Sequence, residues 1–183
     1  MRRAKPQPER PIETERLVLR PIRRDDLDDL VAEINDFDVA RMTARIPHPY
    51  TMADARAYLA EVERPTPWAV SLTIAHGGRL IGGVSLFGLP YRPELGYWLG
   101  RRHWGKGFAS EAAAALIAYG FDTLRLPLVN CRVAYDNPAS DRVRRKLGFR
   151  RIGSSSGRSL ARGAEVAHIH AVLTRARFRD MSR

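Results

Sequence analysis

Cysteine and lysine are scarce in these 183 residues, and long apolar runs are missing. The single cysteine, Cys131, excludes an intramolecular disulfide and a cysteine-rich zinc site. Its place inside "PLVNCRVAY" reads as a buried structural thiol. Lysine is confined to Lys5, Lys106 and Lys146, so the formal net charge of +11 rests on arginines scattered along the chain. The lack of a basic block and of an aromatic-basic pattern argues against a dedicated nucleic-acid module. The charge still calls for an acidic partner: nucleic acid, a ribosome surface or a phosphorylated cofactor. No stretch nears the roughly 18 apolar residues of a membrane span, and "MRRAKPQPERP" leads into no apolar segment of a signal peptide. The expected location is the cytoplasm. Without internal repeats or a linker, the chain reads as a basic flexible tail over 1–13, one domain over 14–175 and a basic C-terminal tail over 176–183.

What is present is a mixed pattern of strands and helices. "RLVLRPI" alternates as a short strand. Leu27, Leu30, Val31 and Ile34 then recur at helical spacing behind the Asp25/Asp26 pair, whose charges suit a helix N-terminus. Thr51 with Asp54 resembles an acidic capping box and opens a second helix through Val62. "WAVSLTIA", "HGGR" and "LIGGVSLFG" form a hairpin pattern, since paired glycines allow its tight turn. "ELGYWLG" is a further strand, followed by a glycine loop and an alanine-rich helix to about Asp122. "LVNCRVAY" is a buried strand, "NPASDRVRRKLGF" a helix closed by Gly148, and "AEVAHIHAVLTRA" a late strand after a Ser/Gly/Arg-rich loop at 153–164. A helix between "ELGYWLG" and "LVNCRVAY" implies parallel neighbours joined by a right-handed crossover.

Three anion-binding patterns compete for "GRRHWGKGF". The dinucleotide fingerprint G-x-G-x-x-G fails at Ser110. The nucleoside-triphosphate pattern G-x-x-x-x-G-K is met from Gly100 to Lys106, but Gly107 stands where a hydroxyl must meet magnesium. R-x-x-G-x-G/A is met in full by Arg102, His103, Trp104, Gly105, Lys106 and Gly107. Glycines let backbone amides approach an oxyanion, and the first turn of the helix that follows adds unpaired N–H groups and partial positive charge.

This segment resembles the acetyl-coenzyme A site of the GNAT N-acetyltransferases, and "NPASDRVRRKLGF" resembles the family's second coenzyme segment. "ELGYWLGRRHWGKGFASEA" and the N-x-x-S pattern resemble, more narrowly, the Rim-like branch that acetylates ribosomal-protein N-termini. The resemblance spans about residues 14 to 175. It implies an α+β GNAT fold: a central mixed, largely antiparallel sheet of about six to seven strands with a splayed parallel pair, flanked by about four helices. It also implies an acetyl-coenzyme A-dependent transferase acting on a protein N-terminus or a small-molecule amine by direct attack in a ternary complex, with no metal. The alternative is a non-catalytic protein of this fold that docks RNA or the ribosome through its arginines. The intact loop with Asn137 and Ser140 argues against it. A monomer and a homodimer are both compatible with the sequence.

The resemblance assigns coenzyme contacts to Trp98, Leu99, Arg102, Trp104, Gly105, Lys106, Gly107, Phe108, Ala109, Asn137 and Ser140. Asn137 also reads as a helix N-cap before Pro138, and Ser140 reads either as a local backbone partner or as the acid for the departing thiolate. Other branches place a tyrosine acid where this chain has Arg144, which favours Ser140; Tyr135 is a weaker alternative. A backbone N–H of a bulged strand, at Trp98 or Leu99, would polarise the thioester carbonyl. Glu94 is the first candidate for the base, on one strand face with Gly96 and Trp98 while Tyr97 and Leu99 face the other way. His48 is a candidate for the substrate mouth, and His76 reads as a hairpin-turn residue. His168 and His170 share a strand face without a metal-ligand pattern. Val143 and Leu147 read as core, Arg145 and Lys146 as a solvated face.

Overall fold

The computed structural model describes residues 6–64 and 66–181. Eight strands lie in one sheet: β1 (Ile12–Glu13), β2 (Val18–Arg20), β3 (Ala69–His76), β4 (Arg79–Phe87), β5 (Glu94–Leu99), β6 (Leu128–Ala134), β7 (Arg150–Ser159) and β8 (Ala164–Thr174). Their order is β1-β2-β3-β4-β5-β6-β8-β7, and every pairing is antiparallel except β5 with β6. Six helices accompany them: α1 (Leu27–Ile34), α2 (Phe37–Ala40), α3 (Met52–Glu63), α4 (Phe108–Asp122), α5 (Pro138–Lys146) and α6 (Arg175–Met181).

Two strands and two helices, β1, β7, α2 and α6, go beyond the elements read along the sequence. β7 takes up the first part of the segment read as a loop at 153–164, as far as Ser159, and a turn remains before β8 begins at Ala164. Serine and glycine disfavour strands in isolation, but β8 offers a partner from Arg150↔Val172 to Ser159↔Ala164, and the ladder overrides propensity. β1 and α6 draw residues from both expected tails into the fold, while residues 1–5, 182 and 183 of those tails lie outside the described residues. α6 is held by Arg177, whose Nε donates to the Gly148 carbonyl at 2.5 Å. α2 is a single turn whose N-cap, Asp36, accepts from the Asp38 amide.

Two cores sandwich the sheet. Leu95, Leu99, Cys131 and Val133 join Ala112, Leu116, Ile117 and Phe121 of α4 in one. Leu27, Leu30 and Ile34 of α1 join Leu59 of α3 and Leu80 in the other, with Trp98 packed against it. The odd and even residues of β5 therefore serve different cores, as strand alternation requires. α3 begins in the expected capping box: Asp54 N donates to Thr51 Oγ1, and Thr51 N donates to Asp54 Oδ2 at 2.8 Å. Asp26, by contrast, is more than a favourable charge at a helix start. It is buried, and its two oxygens accept from the Arg20 guanidinium at 2.6 and 2.7 Å, fixing the entry to α1 against β2.

Candidate active site

The parallel pair is short. Glu94 lies opposite Asn130 and Leu95 opposite Cys131, and beyond that point β5 and β6 part. Both strands run toward the opening, so the loop after β5 and the turn after β6 meet at their carboxyl ends. In sheets with parallel strands this is the usual place for a ligand.

The parting leaves the gap-facing backbone groups of β5 beyond Leu95 unpaired by the sheet. Asn130 N donates to Pro93 O, while Gly100 N donates to Ile81 O on the opposite side. Alternation between these two bonds turns the amides of Tyr97 and Leu99 toward the gap and that of Trp98 toward Gly83 of β4. Of the two expected N–H donors, Leu99 faces the gap and Trp98 belongs to the ladder. The expected bulge in β5 is also absent: its register with β4 runs unbroken from Glu94↔Phe87 to Leu99↔Gly82. The opening arises from the early end of the parallel ladder instead.

The glycine loop closes the carboxyl end of β5. Gly105 and Gly107 have φ of 75° and 82°, in the left-handed region that glycine alone adopts freely. Gly107 is the N-cap of α4 and offers no side-chain acceptor, so the amides of Phe108, Ala109 and Ser110 are free of the usual cap. Such unpaired amides at a helix start have the geometry and partial charge that suit an anion. Trp104 Nε1 donates to Leu99 O at 2.8 Å and fixes its ring beside the opening.

The loop's arginines behave differently from the expectation. Arg101 pairs with Asp38 at 2.8 Å, and the Arg102 guanidinium is bound by the buried Glu33 carboxylate of α1. His103 Nε2 lies 3.3 Å from the same carboxylate. Arg102 thus ties the loop to α1, and among the loop's three basic side chains only Lys106 has no ion pair among the described residues.

A clamp that sequence reading missed holds the loop from the other side. Arg16 donates from Nη1 to Lys106 O at 3.0 Å and from Nε to Glu111 Oε2 at 2.8 Å, with its guanidinium carbon 4.6 Å from the centre of the Phe108 ring. The Thr14 hydroxyl donates to Glu111 Oε1 at 2.6 Å. Burial alone would raise the Glu111 carboxyl, but Thr14 and Arg16 together hold it below its ordinary value. The only sequence signal was an acidic residue in the first turn of α4.

At the carboxyl end of β6, Asn137 caps α5. Its Oδ1 accepts from Ser140 N at 2.9 Å, which leaves its amide nitrogen to face outward contacts. The Ser140 hydroxyl meets the Tyr97 hydroxyl at 2.7 Å, across the gap between β5 and α5. Burial, first of all, pushes Tyr97 up to about 12, against the opposing effect of the Ser140 hydrogen bond.

Glu94 sits at the start of β5, and its Oε1 accepts from Arg132 Nε at 2.7 Å. By alternation its side chain lies on the face of Trp98, across the sheet from Tyr97 and Ser140. Arg144 is buried, donating to Asp141 Oδ1 at 2.7 Å and to Phe149 O at 2.9 Å, so it serves α5 as structure. Arg145 is exposed as expected but pairs with Asp141 at 2.7 Å. Leu147 is core, and Val143 packs against it. Tyr135 is half-exposed and held by Arg151. His48 packs edge-on against Phe37 with ring centroids 5.5 Å apart, and His76, the last residue of β3, lies 4.9 Å from Phe108. His170 Nε2 meets Ser155 Oγ at 2.6 Å on β7.

Residues 16–150 match the family model of the acetyltransferase (GNAT) domain. An uncharacterized N-acetyltransferase of Bacillus subtilis, YoaA, is 31% identical over 150 residues, covering 78% of this chain and 84% of the relative. RimJ of Mycobacterium smegmatis, solved in complex with CoA-disulfide, superposes with a TM-score of 0.79 at 18% identity, over 87% of this chain and 82% of that one. A spermidine N-acetyltransferase of Vibrio cholerae, solved with CoA and spermine, gives 0.76 at 20% identity, over 90% and 99% of the two chains. At those identities the two structures establish the shared fold. With the family model matching most of its length, and a parted strand pair flanked by α4 and α5 as its centre, this chain belongs to the GNAT acetyltransferase family.

Proposed function

We propose that the chain transfers acetyl from acetyl-coenzyme A to a primary amine, on a protein or peptide N-terminus or a small molecule, by direct attack in a ternary complex. The observation that carries this reading is the parting of β5 from β6 after Leu95 and Cys131, with the glycine cradle and the Asn137–Ser140 turn at its open end. The coenzyme complexes of the two solved relatives support it.

The amides of Gly105, Gly107, Phe108 and Ala109 suit a pyrophosphate, with Lys106 adding charge from its exposed side chain. The Asn137 amide nitrogen and the gap-facing backbone of Tyr97 suit the amide groups of a pantetheine arm. Trp104 walls the opening, and Trp98 and Arg102 support the site from behind. The coenzyme supplies an acetyl group activated as a thioester. Leu99 N–H polarises its carbonyl. Glu94, oriented by Arg132, lies five residues (about 16 Å of strand) before Leu99 and so takes the proton of the attacking nitrogen through bridging water, while the Ser140 hydroxyl donates a hydrogen bond to the departing sulfur. A C–N bond forms as the C–S bond breaks: the nitrogen's proton passes to Glu94, and the sulfur leaves with the bonding electron pair as a thiolate held by the Ser140 hydrogen bond.

Ion pairing weakens the RNA-docking alternative, since Arg20, Arg132, Arg144 and Arg162 each hold a carboxylate of the chain itself. Isothermal titration with acetyl-coenzyme A, with and without magnesium, tests the reading. Saturable binding that ignores magnesium is expected, and its absence overturns the assignment. A mass-spectrometric screen of N-terminal peptides and small amines then identifies the acceptor.

A further inference from the structure

Ser140 is a weak acid placed on a helix, and such a hydroxyl is free to rotate or to turn back onto a carbonyl of the preceding turn. Either would aim its proton away from the gap. In this chain the hydroxyl is met instead by Tyr97, 2.7 Å away on β5, beyond the point where β5 and β6 part. The bond joins the two elements that the opening separates.

We propose that Tyr97 is the positioning residue for Ser140: its phenol donates to Ser140 Oγ, so that the serine's own proton is left to point at the sulfur that departs. A serine hydroxyl has one proton to give and two lone pairs to fill. If Tyr97 fills one lone pair, the proton has no competing partner in the bond between them. A phenol is a stronger hydrogen-bond donor and a weaker acceptor than an alcohol, which favours that direction. Burial above all, with a smaller push from Cys131 and against the opposing effect of the Ser140 hydrogen bond, takes the phenol up to about 12, so it keeps its proton across the working pH range. Neither a phenol nor an alcohol gives its proton up outright to a thiolate, whose thiol titrates near about 8.5, so the donor serves the sulfur by hydrogen bonding as charge develops there. Tyr97 holds the donor in place and is not itself consumed.

This role rests on the acetyltransferase reading, and the experiment separates the two. Tyr97→Phe keeps the ring and its packing while removing the hydroxyl. Its kcat should fall about tenfold, with the dissociation constant for acetyl-coenzyme A within about twofold of wild type. The second readout is the thiol of bound coenzyme A, titrated by the ultraviolet absorbance of its thiolate. Ser140 stabilises the thiolate, so Tyr97→Phe and Ser140→Ala should each raise the thiol's apparent pKa, and the double variant should raise it no further than Ser140→Ala alone. A purely structural role would lower the melting temperature and leave the thiol unmoved. Normal binding and turnover in Tyr97→Phe, or losses that add in the double variant, overturn the role of Tyr97 alone. Failure of the wild-type chain to bind coenzyme A overturns the transferase reading and this role together.

Discussion

The carboxylate of Glu33 stands in the space that a side chain at position 100 would need. A β-carbon built on Gly100 falls 2.8 Å from Glu33 Cδ and 3.1 Å from Glu33 Cβ. Gly100 has φ of −56°, so no backbone constraint demands glycine there. The demand comes from α1, which presses its buried carboxylate against the last turn of β5 and there binds Arg102. The first glycine of the near-match to a nucleoside-triphosphate loop is therefore a packing glycine.

Gly100→Ala should consequently destabilise the protein by about 1–3 kcal/mol, the usual cost of overpacking a filled site. Chemical denaturation measures it. Adding Glu33→Ala should recover part of that loss, because the clash and the carboxylate share one space. Strictly additive losses would show that the two residues are independent.

Arg16 should matter to coenzyme affinity although it belongs to neither coenzyme motif. Its guanidinium braces the Lys106 carbonyl and the Glu111 carboxylate, so Arg16→Ala frees the loop and leaves Glu111 with less compensation. The dissociation constant for acetyl-coenzyme A should rise about tenfold, roughly 1.4 kcal/mol, while kcat at saturation changes little. Titration calorimetry and steady-state kinetics separate these effects. A fall in kcat with affinity intact would assign Arg16 to the chemistry instead.

Acid should find the Arg20–Asp26 pair. Burial would raise the Asp26 carboxyl, but the Arg20 hydrogen bond, the Arg23 amide and their charges hold it below its ordinary value. In the unfolded chain the same carboxyl titrates near about 3.9. The unfolded state therefore binds the proton first as pH falls. The pair's contribution is full above that value and is lost as pH drops through the lower folded one. Asp26→Ala should cost about 3 kcal/mol at neutral pH by stranding a buried guanidinium, and should flatten the acid limb of melting temperature against pH. An acid limb of unchanged slope would place that sensitivity in other carboxylates.

Local chemistry was legible in the sequence, and long-range contact was not. Gly105 and Gly107 announce a left-handed backbone, Asn137 before Pro138 announces a cap, and Gly148 with φ of 88° ends α5 where it was expected. Each identity constrains its own few residues. The parallel crossover from β5 through α4 to β6 followed from helix length and strand composition. β7 was hidden because "RRIGSSSGRS" carries no strand preference of its own and is recruited by β8. Glu33 against Gly100, Arg16 with Glu111, and Tyr97 with Ser140 were hidden for the same reason. Each joins segments far apart in the chain, and one sequence carries no trace of which distant residue will arrive. The direction of the Leu99 amide needed the register with β4, which composition cannot supply.

Ser140 and Tyr135 divide the remaining question of which hydroxyl serves the leaving sulfur. Both precede or open α5, yet their surroundings differ. Tyr135 is half-exposed and spends its oxygen on the Arg151 guanidinium, whose cation also lies 5.4 Å from its ring. Ser140 is partly buried, its amide is capped by Asn137, and its hydroxyl stands at the parting of the strands. Ser140→Ala should lower kcat by about 10²-fold or more while the dissociation constant for acetyl-coenzyme A stays close to wild type, as befits a group that acts when charge develops on sulfur. Tyr135→Phe should leave kcat within about twofold, since a surface hydrogen bond to arginine contributes little. Acetyl donors with better leaving thiols should narrow the Ser140→Ala deficit, because a more stable thiolate needs its donor less. An undiminished deficit across donors would move Ser140 from the leaving group to coenzyme placement, and a large loss in Tyr135→Phe would give the role to the tyrosine.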